Sequence, residues 1–328
     1  MFLIFSIKMK AVINKSFSEV KTTEVIVAKF KEKRETQKVL KFLKTTCPDL
    51  MLPHLKLLRK FDDVLEVIIA RAEVWPSLKE SVIESKVGCI LYDFRIVRVS
   101  SRVPQVQQQY EVANELWPCS FHRNKLLSAL IDGTFFSEIE LQFLFSVWEK
   151  KMLPIVTYMD AQGAENTIVE CPNMLTAIAC LKTQWVVCLT EIQVRDHPLA
   201  HSVMVGVDCV AKIEGGGAHA YARNHISNGI VIETDLTNEN SEDSKYASKS
   251  EYLCTNFVAI LTHEPCAMCA MALLHSRISS VIYSLPFEQG GCLGSKRNIH
   301  LEQNFNHRFN VFKEFKTKEL QDVLGCKT

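Results

Sequence analysis

At 328 residues the chain is long enough for two domains, and its 47% hydrophobic and 23% charged residues are typical of a globular protein. The formal net charge of +1 excludes a global attraction for nucleic acid, so a polyanionic partner would have to be met by local patches. The twelve cysteines are scattered and follow no secretory signal, which favours reduced thiols and a metal site over disulfides and predicts a location in nucleus and cytoplasm.

The first residues are apolar but do not predict a membrane span. The run Met1–Ile7 is much shorter than the roughly 20 residues of a transmembrane helix, and no basic residue precedes it as in a signal peptide. It therefore predicts an extended edge segment, or a translation start at Met9 instead of Met1. The whole chain predicts no transmembrane segment and no membrane partner.

Residues 1–120 are predicted to form a smaller α+β domain, because apolar runs of strand and helix type alternate along them. The patterns predict, in chain order, a strand at Glu24–Lys29, a helix at Thr36–Lys44, a strand at Val64–Ala70, a helix at Ser77–Glu84 and a strand at Cys89–Val99. This alternation favours a ferredoxin-like topology. Trp117–His122, with adjacent Trp and Pro, predicts a packed joint at the end of the domain.

Basic residues are concentrated in this first domain. The candidates for phosphate contact are Lys29, Lys31, Lys33, Arg34, Lys41, Lys44, Lys56, Arg59 and Lys60. A surface that follows a phosphate backbone requires such residues to cluster on one side of the fold. The alternative is a merely solvated face, which is the usual role of a lysine-rich run.

Residues 121–328 are predicted to form a second domain, of the α/β class. The patterns predict, in chain order, a helix at Leu126–Lys151, strands at Ile155–Asp160 and Asn166–Cys171, a helix-like segment at Leu175–Leu181, a strand-like segment at Trp185–Leu189, a helix opened by Pro198, a strand at Phe257–Leu261, a helix opened by Pro265 and a strand at Ser280–Ser284. Residues 233–251 are polar and acidic without periodicity, which predicts a loop inserted in this domain.

The stretch Pro265-Cys266-Ala267-Met268-Cys269 carries the clearest chemical signal. Pro265 at the first position of a helix places the two thiols about one turn apart, where the helix N-terminus favours their thiolate forms. A redox dithiol, a structural zinc site and a site that combines the pair with one histidine are all compatible with the spacing. A structural zinc site would need a second cysteine pair, and none of the other ten cysteines forms one.

His201 is the candidate for the histidine. Pro198 predicts a helix start, so that His201 lies in the first turn, with Val203, Val207 and Val210 along the helix. A lone histidine beside an apolar face is more often a core residue than a ligand, and the downstream cysteine pair is what favours a ligand role. In zinc deaminases of nucleobases a His-x-Glu precedes Pro-Cys-x-x-Cys, and the glutamate moves protons without binding the metal. Here Val203 takes the place of that glutamate.

These motifs resemble a known family. Glu264–Arg277 is similar to the tRNA-type adenosine deaminases of the cytidine deaminase-like superfamily. His201-Ser202-Val203 narrows the resemblance to the non-catalytic subunit of the eukaryotic tRNA wobble-adenosine deaminase. Three further segments resemble that subunit, namely Trp117–His122, Leu293–Leu301 and Asn306–Phe312. The resemblance covers Trp117–Phe312 well and the first domain loosely.

The resemblance implies a fold, a ligand set and partners. It implies a three-layer α/β/α domain with a mixed sheet, and Zn²⁺ held by His201, Cys266 and Cys269. It implies no independent deaminase activity, because Val203 occupies the proton-shuttle position. It also implies a heterodimer with a catalytic subunit that converts the wobble adenosine of tRNA to inosine, and tRNA binding by this chain. Further candidates for phosphate contact are Lys296, Arg297 and Arg308, whose alternatives are a solvated surface or an interface ion pair.

The missing glutamate can also be argued from chemistry alone. A carboxylate must carry protons from the zinc-bound water to the ring nitrogen and the leaving amine, and valine has no proton to move. Loss of a general acid–base typically costs about two to four orders of magnitude in rate. Glu264 is expected to be structural. The fourth zinc position could hold water or a group from the chain, for which Cys326 is a candidate. The alternatives are an independently active zinc-dependent nucleobase deaminase that uses another carboxylate, and a binding module with structural zinc and no RNA role.

Overall fold

A computed structural model describes residues 9–17, 19–46, 52–161, 172, 175–191, 198–213, 216 and 253–325. The predictions for Asn166–Cys171, for the loop at 233–251 and for Cys326 lie outside these residues. The chain divides into two compact units, a smaller one of Asn14–Ala129 and a larger one of Met1–Ile13 with Leu130–Thr328. The sequence placed the boundary at residue 120 and all earlier residues in the first domain. The first described strand instead pairs in the sheet of the larger unit.

The elements of the smaller unit follow the predicted order. Strand β1 (Lys10–Ala11) belongs to the larger unit, and the smaller unit then contains β2 (Thr22–Phe30), α1 (Thr36–Thr46), β3 (Leu58–Phe61), β4 (Val64–Arg71), α2 (Trp75–Ile83), β5 (Leu91–Ser100) and α3 (Gln107–Leu116). Helix α4 (Lys125–Asp132) spans the boundary between the units. All five elements that the sequence predicted here are present.

The smaller unit has a four-stranded sheet in the order β3-β4-β2-β5, and every pair in it is antiparallel. With α1 and α2 as connections this is the β-α-β-β-α-β arrangement of ferredoxin-like folds, so that prediction is confirmed. The central strands β2 and β4 are apolar on both faces because both faces are covered. Ile26 and Ala28 pack with α1 and α2, whereas Val25 and Val27 pack on the opposite face with Ala113 of α3.

The larger unit continues from α4 with the other helices and strands. They are α5 (Glu138–Val147), a π-helical turn (Trp148–Met152), α6 (Leu153–Ala161), β6 (Leu175–Cys180), β7 (Trp185–Glu191), α7 (Ser202–Ile213), β8 (Phe257–His263), α8 (Ala267–His275), β9 (Ser280–Leu285), β10 (Asn310–Lys313) and α9 (Thr317–Val323). No helix in the described part of the chain is both long and apolar enough to cross a membrane.

The sheet of the larger unit is mixed and lies between two layers of helices. Its order is β1-β10-β9-β8-β6-β7, with β8, β9 and β10 parallel and the other pairs antiparallel. Helices α7 and α8 share one apolar cluster with one face of the sheet. Helices α5, α6 and α9 share a second cluster with the other face. The predicted three-layer α/β/α architecture with a mixed sheet is confirmed.

Three predictions of element type or continuity in this unit were wrong. Leu175–Leu181 is strand β6 rather than a helix, and Ile155–Asp160 lies in helix α6 rather than in a strand. Both are short apolar runs, in which periodicity does not separate helix from strand. The predicted helix Leu126–Lys151 is interrupted before α5, which begins with a capping box between Ser137 and Glu140.

Candidate metal centre

Three predicted ligands meet where α7 and α8 begin. His201 directly precedes α7, Cys266 is the N-cap residue of α8, and Cys269 lies in the first turn of α8. The sequence placed Pro265 at the first helical position, but the helix starts two residues later because Cys266 has an extended backbone with ψ 175°. The extended cap turns the Cys266 side chain toward the same point as Cys269. This turn directly follows strand β8, which is buried in the centre of the sheet.

The geometry of the three side chains fits a tetrahedral zinc ion. His201 Nδ1 lies 3.5 Å from each sulfur, Cys266 Sγ and Cys269 Sγ, and all three ligand atoms lie within 4.8 Å of one another. Zn–N and Zn–S bonds of about 2.05 and 2.3 Å at a tetrahedral angle place nitrogen and sulfur about 3.6 Å apart. All three residues are buried. One nitrogen and two sulfurs form a donor set that zinc prefers, so the residues fit this metal.

Ser202 anchors the start of α7, directly after His201. Its hydroxyl lies 2.8 Å from Thr176 Oγ1, and its carbonyl accepts a 2.7 Å hydrogen bond from Thr190 Oγ1. All three residues are fully buried. These bonds tie the start of α7 to β6 and β7, and thereby hold His201 in place.

Val203 leaves the site without a proton carrier. It is fully buried and packs in the apolar cluster that also contains Cys266 and Cys269. The group that could hold a metal within the described residues is His201, Cys266 and Cys269, with no carboxylate among its members. Asp208, the buried carboxylate on α7, pairs with Lys212 at 2.6 Å. The arrangement can therefore hold a metal ion but offers no general acid–base at the expected position.

Glu264 is a structural anchor and not a substitute for the missing shuttle. It is fully buried, and its carboxylate accepts four hydrogen bonds from the segment that follows β9. Oε1 accepts from Leu293 N at 2.8 Å and Ser295 N at 3.0 Å. Oε2 accepts from Phe287 N at 3.1 Å and from the Ser295 hydroxyl. With both oxygens engaged, the carboxylate is not available to move protons.

The segment anchored by Glu264 brings a further thiol close to the metal centre. Cys292 is buried, and its N–H donates to the Pro265 carbonyl at 3.1 Å. The pKa of the Cys292 thiol is raised mainly by burial and secondly by the neighbouring Cys266. The sequence did not predict the contact of Cys292 with the turn at Pro265, although Gly290-Gly291 signals a close backbone approach. A Cβ on Gly291 would lie 2.3 Å from the Glu264 carboxylate.

The basic candidates of the smaller unit fall into two groups. Lys29, Arg59 and Lys60 form ion pairs with Asp93, Glu66 and Asp63 at 2.7, 2.8 and 2.5 Å. The candidates that are exposed and form no ion pair with another described residue are Lys31, Arg34, Lys41, Lys44 and Lys56. For Lys33 the side chain lies outside the described part of the chain. In the larger unit Lys296, Arg297 and Arg308 are exposed.

Arg59 is held most firmly of these residues. Its guanidinium also donates to the Leu116 carbonyl at 3.0 Å and lies 4.1 Å from the centroid of the Trp117 ring. Its partner Glu66 is fully buried and also pairs with Arg95 at 2.5 Å. Arg59 therefore supports the packed joint at Trp117.

Comparisons with known proteins place the chain beside one set of relatives, although no family model matches it. The chain is 31% identical over 314 residues to "Probable inactive tRNA-specific adenosine deaminase-like protein 3" of Danio rerio, covering 90% of this chain and 87% of the relative. The Homo sapiens protein of the same description is 31% identical over 307 residues, 86% of this chain and 82% of the relative. The "tRNA-specific adenosine deaminase subunit tad3" of Schizosaccharomyces pombe is 26% identical over 272 residues, 80% and 74% of the two chains.

Among solved structures, one from a study of A-to-I editing by tRNA:A34 deaminases matches 54% of this chain and 100% of that chain, at 14% identity and a TM-score of 0.36. That likeness is too low to carry an argument.

Proposed function

The chain belongs to the family of inactive tRNA-specific adenosine deaminase-like proteins, and on that premise we propose that it is a zinc-binding, catalytically inactive accessory subunit of a tRNA adenosine deaminase. In this role it pairs with a catalytic subunit that converts the wobble adenosine to inosine, and it helps to hold the tRNA. The proposal places the protein in the nucleus and the cytoplasm. A relative of this chain is described as a subunit of such a deaminase.

One observation carries the proposal. His201, Cys266 and Cys269 are assembled for a metal ion, while the fully buried Val203 stands where a deaminase needs its carboxylate. When bound, zinc supplies a Lewis acid that activates water in the deaminases of this type. In this chain the ligands join the starts of α7 and α8, Ser202 anchors the start of α7, and Val203 cannot accept the proton. The metal centre then serves to fix the fold.

One feature supports the role in tRNA binding. The exposed, unpaired residues of the smaller unit are Lys31, Arg34, Lys41, Lys44 and Lys56. Their charges are free to neutralise phosphates, and each such contact releases counterions and contributes to affinity. The acidic partners of Lys29, Arg59 and Lys60 remove those three residues from the proposed surface.

Inosine formation by purified proteins tests the proposal. The chain alone is expected to form no inosine in tRNA, and the chain with a catalytic subunit that contains an intact His-x-Glu is expected to be active. Elemental analysis of the chain alone should find zinc, and Val203→Ala should match the wild type in both measurements. Inosine formed by the chain alone would support the independently active deaminase, and activity of the catalytic subunit that does not depend on this chain would contradict the accessory role.

A further inference from the structure

The smaller unit contains a cavity that the metal centre does not involve. Its volume is about 370 Å³, within the roughly 300–1,000 Å³ of pockets that hold small ligands. It lies between the residues before β2, the turn at Pro53 and His54, and the segment that joins β5 to α3. The lining residues that matter below are Phe17, Lys21, His54, Arg102 and Val103.

Hydrogen bonds among the lining residues hold the cavity open. The Gln109 side chain donates to the Ser16 and Glu19 carbonyls at 3.2 and 3.3 Å. The Ser101 N–H and hydroxyl both donate to the Lys21 carbonyl, at 2.8 and 3.0 Å. A pocket with fixed walls loses little conformational freedom when a ligand enters, which favours binding.

His54 lines this cavity and carries a hydrogen-bond acceptor. It is 5% exposed, and its Nε2 lies 3.0 Å from the Ser100 carbonyl. A carbonyl only accepts, so Nε2 carries the hydrogen and Nδ1 of the neutral ring is an acceptor. Burial lowers the pKa of His54, which keeps the ring neutral. Every nucleobase has an N–H on its Watson–Crick edge, and proteins read unpaired bases through that edge.

The other lining residues combine an apolar wall with a cationic rim. Phe17 gives an aromatic surface and Val103, 47% exposed, an aliphatic one. Lys21 and Arg102 are exposed and pair with no acidic side chain among the described residues. Glu19 is the one acidic residue in the lining, so positive charge prevails. Aromatic side chains stack on bases, and basic side chains contact phosphates.

We propose that this cavity binds one unpaired nucleotide of the tRNA, with its base against Phe17 and its phosphate at Lys21 and Arg102. The inference rests on the proposed function and adds a specific subsite to it. Because each of the four bases can stack on Phe17 and donate to His54, the subsite selects an accessible base without selecting its identity. It therefore favours RNA with splayed-out bases over a continuous duplex.

Binding of tRNA by the full chain, in complex with its catalytic subunit, tests the subsite. Phe17→Ala removes the stacking surface and is expected to weaken binding about tenfold with an unchanged salt dependence. Phe17→Tyr keeps the ring and should keep the affinity. Arg102→Ala is expected to lower the slope of log affinity against log salt concentration by about one. Arg98→Ala is the matched control, because Arg98 lies on β5, is 75% exposed and does not line the cavity.

Each outcome separates the subsite from the wider function. A wild-type complex that does not bind tRNA contradicts the RNA role itself. If the wild-type complex binds tRNA, and Phe17→Ala and Arg102→Ala bind it no more weakly than Arg98→Ala does, the subsite is overturned. The accessory role is then unaffected. If Phe17→Ala proves unfolded by thermal denaturation, Phe17→Leu, which keeps the volume without the ring, replaces it.

Competition by free nucleotides tests whether the cavity binds a nucleotide of tRNA or a free mononucleotide. Millimolar AMP, CMP, GMP and UMP are expected to compete with tRNA for the wild-type complex. The competition should be absent in Phe17→Ala. Nucleotides that bind at the cavity without displacing tRNA would overturn the assignment to RNA, as would a failure of all four to compete.

Discussion

Replacing Glu264 by glutamine tests the anchor beside the metal centre. The amide keeps the shape of the side chain but turns one acceptor oxygen into a donor group. If the amide oxygen keeps the Leu293 and Ser295 N–H groups, the NH₂ group faces the Phe287 N–H, which then loses its acceptor. An unsatisfied buried donor costs about 1–3 kcal/mol, and more where the lost acceptor was charged. We expect Glu264→Gln to destabilise the larger unit by about 2 kcal/mol, and Glu264→Ala by more.

Thermal unfolding of the chain measures this loss. For a unit of about 150–250 residues, 2 kcal/mol corresponds to a fall in the midpoint of roughly 4–8 °C. Glu302→Gln makes the same chemical change at an exposed residue of the same unit and should leave the midpoint unchanged. Zinc release should also be faster in Glu264→Gln, since the anchored segment bonds to the Pro265 carbonyl beside Cys266. Equal midpoints for Glu264→Gln and Glu302→Gln would refute the anchor role.

Three further predictions concern pH, the basic residues and the metal. Burial lowers the pKa of His263 to about 4, so the unfolded state binds the proton more tightly. As pH falls from about 6.5 to about 4, up to about 3 kcal/mol of stability should be lost. Urea unfolding should show a flatter pH dependence for His263→Gln, and an unchanged one would contradict this origin. Arg59→Met leaves the buried Glu66 with Arg95 alone and should cost the smaller unit about 3 kcal/mol. Lys44→Ala should instead leave the unfolding midpoint unchanged and weaken tRNA binding. A lower midpoint with unchanged tRNA binding would contradict the division into ion-paired and unpaired basic residues. Cys266→Ser should remove one zinc ion per heterodimer by elemental analysis, and a retained ion would exclude Cys266 as a ligand.

The sequence could single out the three residues that meet at the candidate metal centre because they belong to short local motifs. Cys266 and Cys269 are three residues apart on one helix turn, and His201 lies at the start of another helix. The two helices pack on the same face of the sheet, as expected for the fold that the motifs resemble. The smaller unit was also predictable, because the buried strands β2 and β4 are β-branched and are bounded by clear helices.

Other features depend on contacts between residues far apart in the chain. Glu264 anchors Leu293, 29 residues away, and Glu66 pairs with Arg95, also 29 residues away. No local sequence pattern predicts such partners. The ion pairs of Lys29, Arg59 and Lys60 likewise could not be predicted from composition alone. Helix α6 was missed because Ile155 and Val156 favour a strand, whereas packing of Val156 in the second apolar cluster of the larger unit selects the helix.

The pairing of β1 with β10 has a consequence for the order of folding during synthesis. Lys10 pairs with Lys313, and the whole smaller unit lies between these residues in the chain. A ribosome that elongates the chain completes the smaller unit long before β10 is made, so this unit can fold while β1 still lacks its partner. The edge of the larger sheet closes last. We therefore expect mutations in the smaller unit to affect the folding of that unit alone during synthesis. Mutations near β10 should instead leave the edge strand of the larger sheet unpaired and exposed at the end of synthesis.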